Sequence, residues 1–135
     1  MLLGDTLKLY EPIEFTLEFL ADKLNFTRQK EPVVVHAVCS AKKMGLESKL
    51  IELAKMCSEN VSSANVNCCG FAGDRGFTYP ELNEYGLRNL KKQIPADTKE
   101  GYSTSRTCEI GLSLHGGISY KSILYLVDRV TVSKR

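Results

Sequence analysis

Apolar positions fall into short runs and helical stripes that alternate along the chain. Residues 12–24 predict a helix, because Pro12 suits a first helical position and Ile13, Leu17, Leu20 and Leu24 share one face. "NFTRQKEP" is polar, ends in Pro32 and predicts a connection. "VVVHAVC", Val33 to Cys39, is a β-branched run that predicts a buried strand. From about Met44 to Asn60, Leu46, Leu50, Leu53, Ala54 and Cys57 form the apolar stripe of a second helix. Ala64 to Asn67 predicts another short strand, running into two adjacent cysteines. Thr78 and Glu81 then have the form of a capping box, with Pro80 in the first turn of a helix carried on by Leu87, Leu90 and Ile94. "GYSTSR" predicts a polar third strand and "TCEIGLSLH" a helix behind it. Ile123, Leu124, Leu126, Val127 and Val130 have helical spacing, although their residue types favour a strand.

The order α-β-α-β-α-β-α predicts an α/β fold, a small parallel sheet with helices packed on its faces in Rossmann-like layers. The 135 residues suit one domain, with 1–32 a leading helix and connection and 33–135 the α/β core. The abrupt start suggests a module of a longer chain.

Composition changes this picture little. A net charge of +2 gives no reason to expect a nucleic-acid partner. No apolar run reaches a transmembrane length, and "MLLGDTLKLY" lacks the form of a signal peptide, so a cytoplasmic chain is expected. Five cysteines without an export signal disfavour a disulfide framework and favour metal, redox or burial.

Four of those cysteines carry the candidate chemistry. Cys39 closes the first predicted strand, Cys68 and Cys69 the second, and Cys108 follows the third, so a parallel topology brings all four to one sheet edge. Four thiolates suit a tetrahedral zinc or an iron–sulfur cluster. A Cys68–Cys69 disulfide is disfavoured, since neighbouring Cα atoms lie about 3.8 Å apart and a disulfide needs roughly 4.4–6.8 Å. Gly70, Gly73 and Gly76 allow close backbone approach, and successive N–H groups there can cradle an anion, with Arg75 or Arg106 adding positive charge. Cys57, on an apolar helix face, is expected in the core, as is His36 within the first strand. His115 is expected in a loop, and Asp74 and Glu109 have no evident acid–base partner.

"HAVCS", "CCGFAGDRGF" and "SRTC" resemble the cysteine-rich CCG domain of heterodisulfide reductase subunits and the iron–sulfur subunit of glycolate oxidase. The longer wording, "VHAVCSAKKMGL", "CCGFAGDRGFTYPELN" and "GYSTSRTCEIGLSLH", resembles the carboxyl-terminal part of FAD-linked, iron–sulfur D-lactate dehydrogenases. The resemblance implies an electron-transfer module that does not turn over alone. Its ligands would be Cys39, Cys68, Cys69 and Cys108, holding an iron–sulfur cluster of the 4Fe-4S kind, with Gly70 freeing the turn that aims the paired sulfurs. Its partners would be flavin and ferredoxin-like domains of a parent polypeptide, with FAD only in that other part. Electrons would pass on to a quinone or another acceptor, and the parent protein would provide any attachment at the inner membrane. The sequence departs from the pattern at Ser105, where the family places a further cysteine. That departure disfavours the larger non-cubane clusters and leaves Ser105 a weak ligand or a hydrogen-bond donor to sulfur. A structural zinc or metal-free docking domain of the same kind of oxidoreductase is the alternative.

Overall fold

The chain opens with an antiparallel pair, β1 (Leu2–Leu3) and β2 (Leu7–Lys8). The computed structural model describes residues 2, 3, 7–64 and 75–134. A helical stretch follows from α1 (Pro12–Phe15) through a π-helical turn, Thr16–Leu20, to a 3₁₀ turn, Ala21–Lys23. The carboxylate of Glu11 starts it by accepting the Ile13 amide at 2.7 Å. The wider π turn, closed by the Ala21 amide on the Thr16 carbonyl, rotates the expected stripe. Ile13 and Thr16 are buried and Leu17 packs on the core, whereas Leu20 is exposed.

The expected connection after this helix begins as a strand. β3 (Leu24–Phe26) pairs antiparallel with β8 (Thr131–Ser133), so the segment after the first helix is joined to the last described strand. No local pattern announces this strand, because its partner lies at the far end of the sequence.

Val33, Val34 and Val35 are all fully buried, as a strand covered on both faces requires. They form β4 (Val33–Val35), and β5 (Val61–Ser63) and β6 (Glu100–Ser103) flank it, both parallel. β7 (Ser119–Ser122) pairs parallel with β6 and completes a sheet of order β5-β4-β6-β7. The parallel α/β expectation is thus met, with corrections. The first strand stops at Val35, and His36, Ala37 and Val38 are buried without continuing the ladder. The second strand is Val61–Ser63 rather than Ala64–Asn67, of which only Ala64 is described. No alternation in the sequence marks β7, because "SYKS" is polar except for one inward tyrosine.

Helices cover both faces. On one face α3 (Glu47–Cys57) and α8 (Ile123–Val130) join α1 against Val33, Val35 and Tyr102. On the other face, α2 (Cys39–Lys43), α6 (Leu90–Gln93) and α7 (Arg106–Gly116) enclose Val34 and Tyr120. Between them in sequence lie α4 (Arg75–Thr78) and α5 (Pro80–Gly86). Pro80 opens α5 as expected, but Thr78 ends α4, and α5 has Tyr79 as its N-cap without a side-chain cap bond. The capping box is therefore not formed. Full burial of each Val, Leu or Ile side chain in these layers contributes about 1.5–3 kcal/mol. Among the described residues, no helix is long and apolar enough to cross a membrane.

At Gly101, in β6, an added Cβ would lie 2.7 Å from the Tyr120 ring, which is itself buried. The ring has no room to retreat, so Gly101→Ala is expected to cost about 1–3 kcal/mol, measured by urea unfolding. At the amino end of β6, Glu100 accepts hydrogen bonds from Gln29 at 2.9 Å and Arg129 at 2.8 Å, tying the β3–β4 connection to α8. Burial opposes the charge on Glu100, but those hydrogen bonds and the Arg129 charge together hold its carboxyl below the usual range. Its stabilisation is therefore present above the unfolded carboxylate range and lost as pH falls through the lowered folded value. Glu100→Gln should destabilise by at most about 1 kcal/mol at pH 7, and the difference from the parent should close on acidification.

Candidate functional site at the carboxyl edge of the sheet

The strand order sets where chemistry can gather. From β4 the chain runs through α3 to β5 on one side, and from β6 through α7 to β7 on the other. The carboxyl ends of β4 and β6 thus form the point at which the winding reverses, where open α/β sheets leave a crevice. The two ends are locked together. The His36 amide donates to the Tyr102 carbonyl at 3.0 Å, and the Ser103 hydroxyl to the His36 carbonyl at 2.8 Å.

Cys39 and Cys108 stand on either side of this reversal. Cys39 does not close the strand. It is the first residue of α2, half-buried, reached after the chain passes through Ala37 and Val38. Cys108 lies in the first turn of α7, 9% exposed, packed in the cluster that holds Val34, Val38 and Leu112. Ser105 is the N-cap of α7 in extended geometry. Its hydroxyl makes no cap bond and lies 3.4 Å from that of Thr107.

β5 ends at the same edge, and Cys68, Cys69, Gly70, Gly73 and Asp74 lie outside the described residues. Among the described residues no group of three or more His, Cys, Asp or Glu side chains is placed to hold a metal. Of the four expected ligands, the described residues include Cys39 in α2 and Cys108 in α7.

The other candidates separate cleanly. Cys57 is fully buried on α3, and burial pushes its thiol up to about 12, which suits a packing residue. His36 is 1% exposed, in keeping with a core role. His115 is in the last turn of α7 rather than in a loop, at the opposite end of that helix from Ser105. Arg106 reaches Glu109 at 3.7 Å across one helical turn. Burial raises the Glu109 carboxyl, and the Arg106 charge opposes that rise.

Among the described residues, clefts lie elsewhere, two of them larger than the shallow one between β3 and the end of α8. One, of about 770 Å³, runs between β3 and α3 over Phe26, Ile51 and Met56 and has no cysteine in its wall. The other, of about 660 Å³, opens beyond the ends of β6 and β7 and is lined by Thr104, Arg106 and Lys121 among others. No sequence signal marks Lys121 as a cleft residue, because the pattern of its strand β7 is polar. No family model, curated protein or solved structure matches the chain.

Native metal-free protein treated with iodoacetamide at pH 8 should be alkylated at half-buried Cys39 and remain unmodified at Cys57 until denaturant is added. Peptide mass mapping reads both positions, and equal labelling rates would contradict the burial of Cys57.

Proposed function

We propose that this chain is an electron-transfer module of an FAD-linked oxidoreductase of the D-lactate or related 2-hydroxyacid dehydrogenase type, with an iron–sulfur cluster ligated by Cys39, Cys68, Cys69 and Cys108. The observation that carries the reading is the placement of Cys39 and Cys108 in α2 and α7, the helices that follow the neighbouring carboxyl ends of β4 and β6 at the winding reversal. When bound, such a cluster supplies one-electron transfer. The protein's part is to hold thiolates and stabilise their charge. The first turn of α7 directs backbone N–H groups toward the edge that bears Cys108, which favours a thiolate there. Ser105, preceding that turn, lies 3.4 Å from the Thr107 hydroxyl, near enough for one hydroxyl to donate to the other, and serves in this reading as a polar neighbour rather than a fifth sulfur. Flavin and ferredoxin-like domains of a parent polypeptide are the proposed donors and a quinone or similar carrier the proposed acceptor.

The packing of Cys108 among Val34, Leu87 and Leu112 favours a second reading. A buried thiol in an apolar cluster behaves as a small hydrophobe. The same fold then acts as a structural zinc or metal-free docking domain of such an oxidoreductase.

The two readings separate on protein purified without oxygen. The cluster reading expects a brown preparation with about four iron and four sulfide per chain and a paramagnetic resonance signal on reduction. Iron should fall sharply in Cys39→Ser and Cys108→Ser and be retained in Cys57→Ser. A colourless preparation with stoichiometric zinc, or with no metal, overturns the cluster and leaves the docking domain.

A further inference from the structure

The cleft of about 770 Å³ between β3 and α3 is separate from the expected sulfur set, for neither Cys39 nor Cys108 lines it. Its two walls differ in kind. One is the outward face of α3, where Ser48, Ile51, Glu52, Lys55 and Met56 follow the i, i+3, i+4, i+7, i+8 spacing of a single stripe. The other is β3 and the residue two beyond its last, contributing Phe26 and Arg28. We propose that this cleft binds an extended peptide segment of a partner protein. The segment pairs with β3 as an added strand, sets alternate apolar side chains on the cleft floor and carries an acidic residue.

The backbone of β3 gives the first reason. In an antiparallel pair, residues that exchange hydrogen bonds with the partner strand alternate with residues that face away from it. The Thr27 amide donates to the Val130 carbonyl at 2.8 Å, and the Lys134 amide to the Lys23 carbonyl at 3.0 Å. Residues 23, 25 and 27 therefore bond toward β8. Phe26, paired in register with Thr131, falls between two of them, so its amide and carbonyl point away from β8. Among the described residues neither group has a backbone partner. That is an open strand edge, the template on which an extended peptide adds. Just beyond it, the Gln29 amide donates to the Cys57 carbonyl at 2.9 Å and the Glu59 amide to the Gln29 carbonyl at 3.0 Å. Those bonds close the edge where the chain meets the end of α3.

Size and charge give the second. From Ser48 to Met56 the helical wall is about 12 Å long, the span of about four residues in a strand. The floor is apolar, with Phe26, Ile51 and Met56 half-buried. Arg28 on one wall and Lys55 on the other are exposed, against the single carboxylate of Glu52, so the rim favours an acidic residue in the segment. A second copy cannot supply that segment from β3, because Leu24 and Phe26 already pack on their own core.

The test is selection of a phage-displayed library of random heptapeptides on the full chain, then synthesis of the enriched peptide and its titration by amide NMR. Enriched sequences are expected to alternate apolar and polar residues and to carry Asp or Glu. Shifts at residues 24–28 and 48–56 should saturate, and deuterium exchange of the Phe26 amide should slow about tenfold or more at saturation. N-methylation of one alternate set of peptide amides should abolish binding, whereas methylation of the other set should leave it. Arg28→Glu combined with Lys55→Glu should weaken binding about tenfold or more with an unchanged melting temperature. No enrichment, a bound peptide that is helical, equal loss with both methylated sets, unchanged Phe26 exchange, or self-association of the chain through residues 24–28 would overturn the proposal. Neither the peptide nor the variants involve a cysteine, so the outcome is independent of the iron and sulfide content.

Discussion

Everything at the carboxyl edge depends on β4 lying in the middle of a parallel sheet. Three consecutive valines, buried on both faces, leave that strand no stable place at an edge. The register then sets Val33 beside both Val61 and Glu100, so the flanking strands start level with it and end close to level. Parallel pairing makes all four strands deliver their following residues to one side. The winding reverses between β4 and β6, so α3 and α7 cover opposite faces.

How much of this could be read from the sequence follows from how local each signal is. β4 and α3 were legible because their patterns are complete within a few residues: a β-branched triplet, and a stripe of Leu50, Leu53, Ala54 and Cys57 that is fully buried. α8 was resolved in favour of its spacing, and its inward Ile123, Leu126, Val127 and Val130 outweigh the strand preference of their residue types. β3 and β8 were illegible because each exists only through the other. Leu20 was placed on the buried face by a period of 3.6, and the π turn breaks that period before the residue is reached.

The candidate site shows the same division. That Cys39 and Cys108 reach one edge was legible, because it needs only the order of elements and the parallel rule. The precise element bearing Cys39 was not. The apolar run from Val33 to Cys39 mixes three residues in the ladder with three that are buried beyond it, and hydropathy does not distinguish the two kinds of burial. Lys121 and Thr104 were missed because the cleft they line depends on β7, whose single core side chain, Tyr120, gives no alternation to detect.

The first turn of α7 shows how one short segment serves two surroundings. Cys108 and Leu112, four residues apart, share the face that packs against Val34 and Tyr120. Arg106 and Glu109, three apart, share another face and open on the cleft. The helix is held in this orientation from its middle. The Ser113 hydroxyl donates to the Glu109 carbonyl at 2.7 Å and accepts the Tyr120 amide at 2.8 Å, which bolts α7 to β7. Tyr120 in turn fits only because Gly101 presents no side chain to its ring. A shift at Gly101 would therefore move Tyr120, then Ser113, and with them both faces of the turn. The small residue in β6 thus controls the placement of the sulfur on one side and of the cation on the other, although it touches neither.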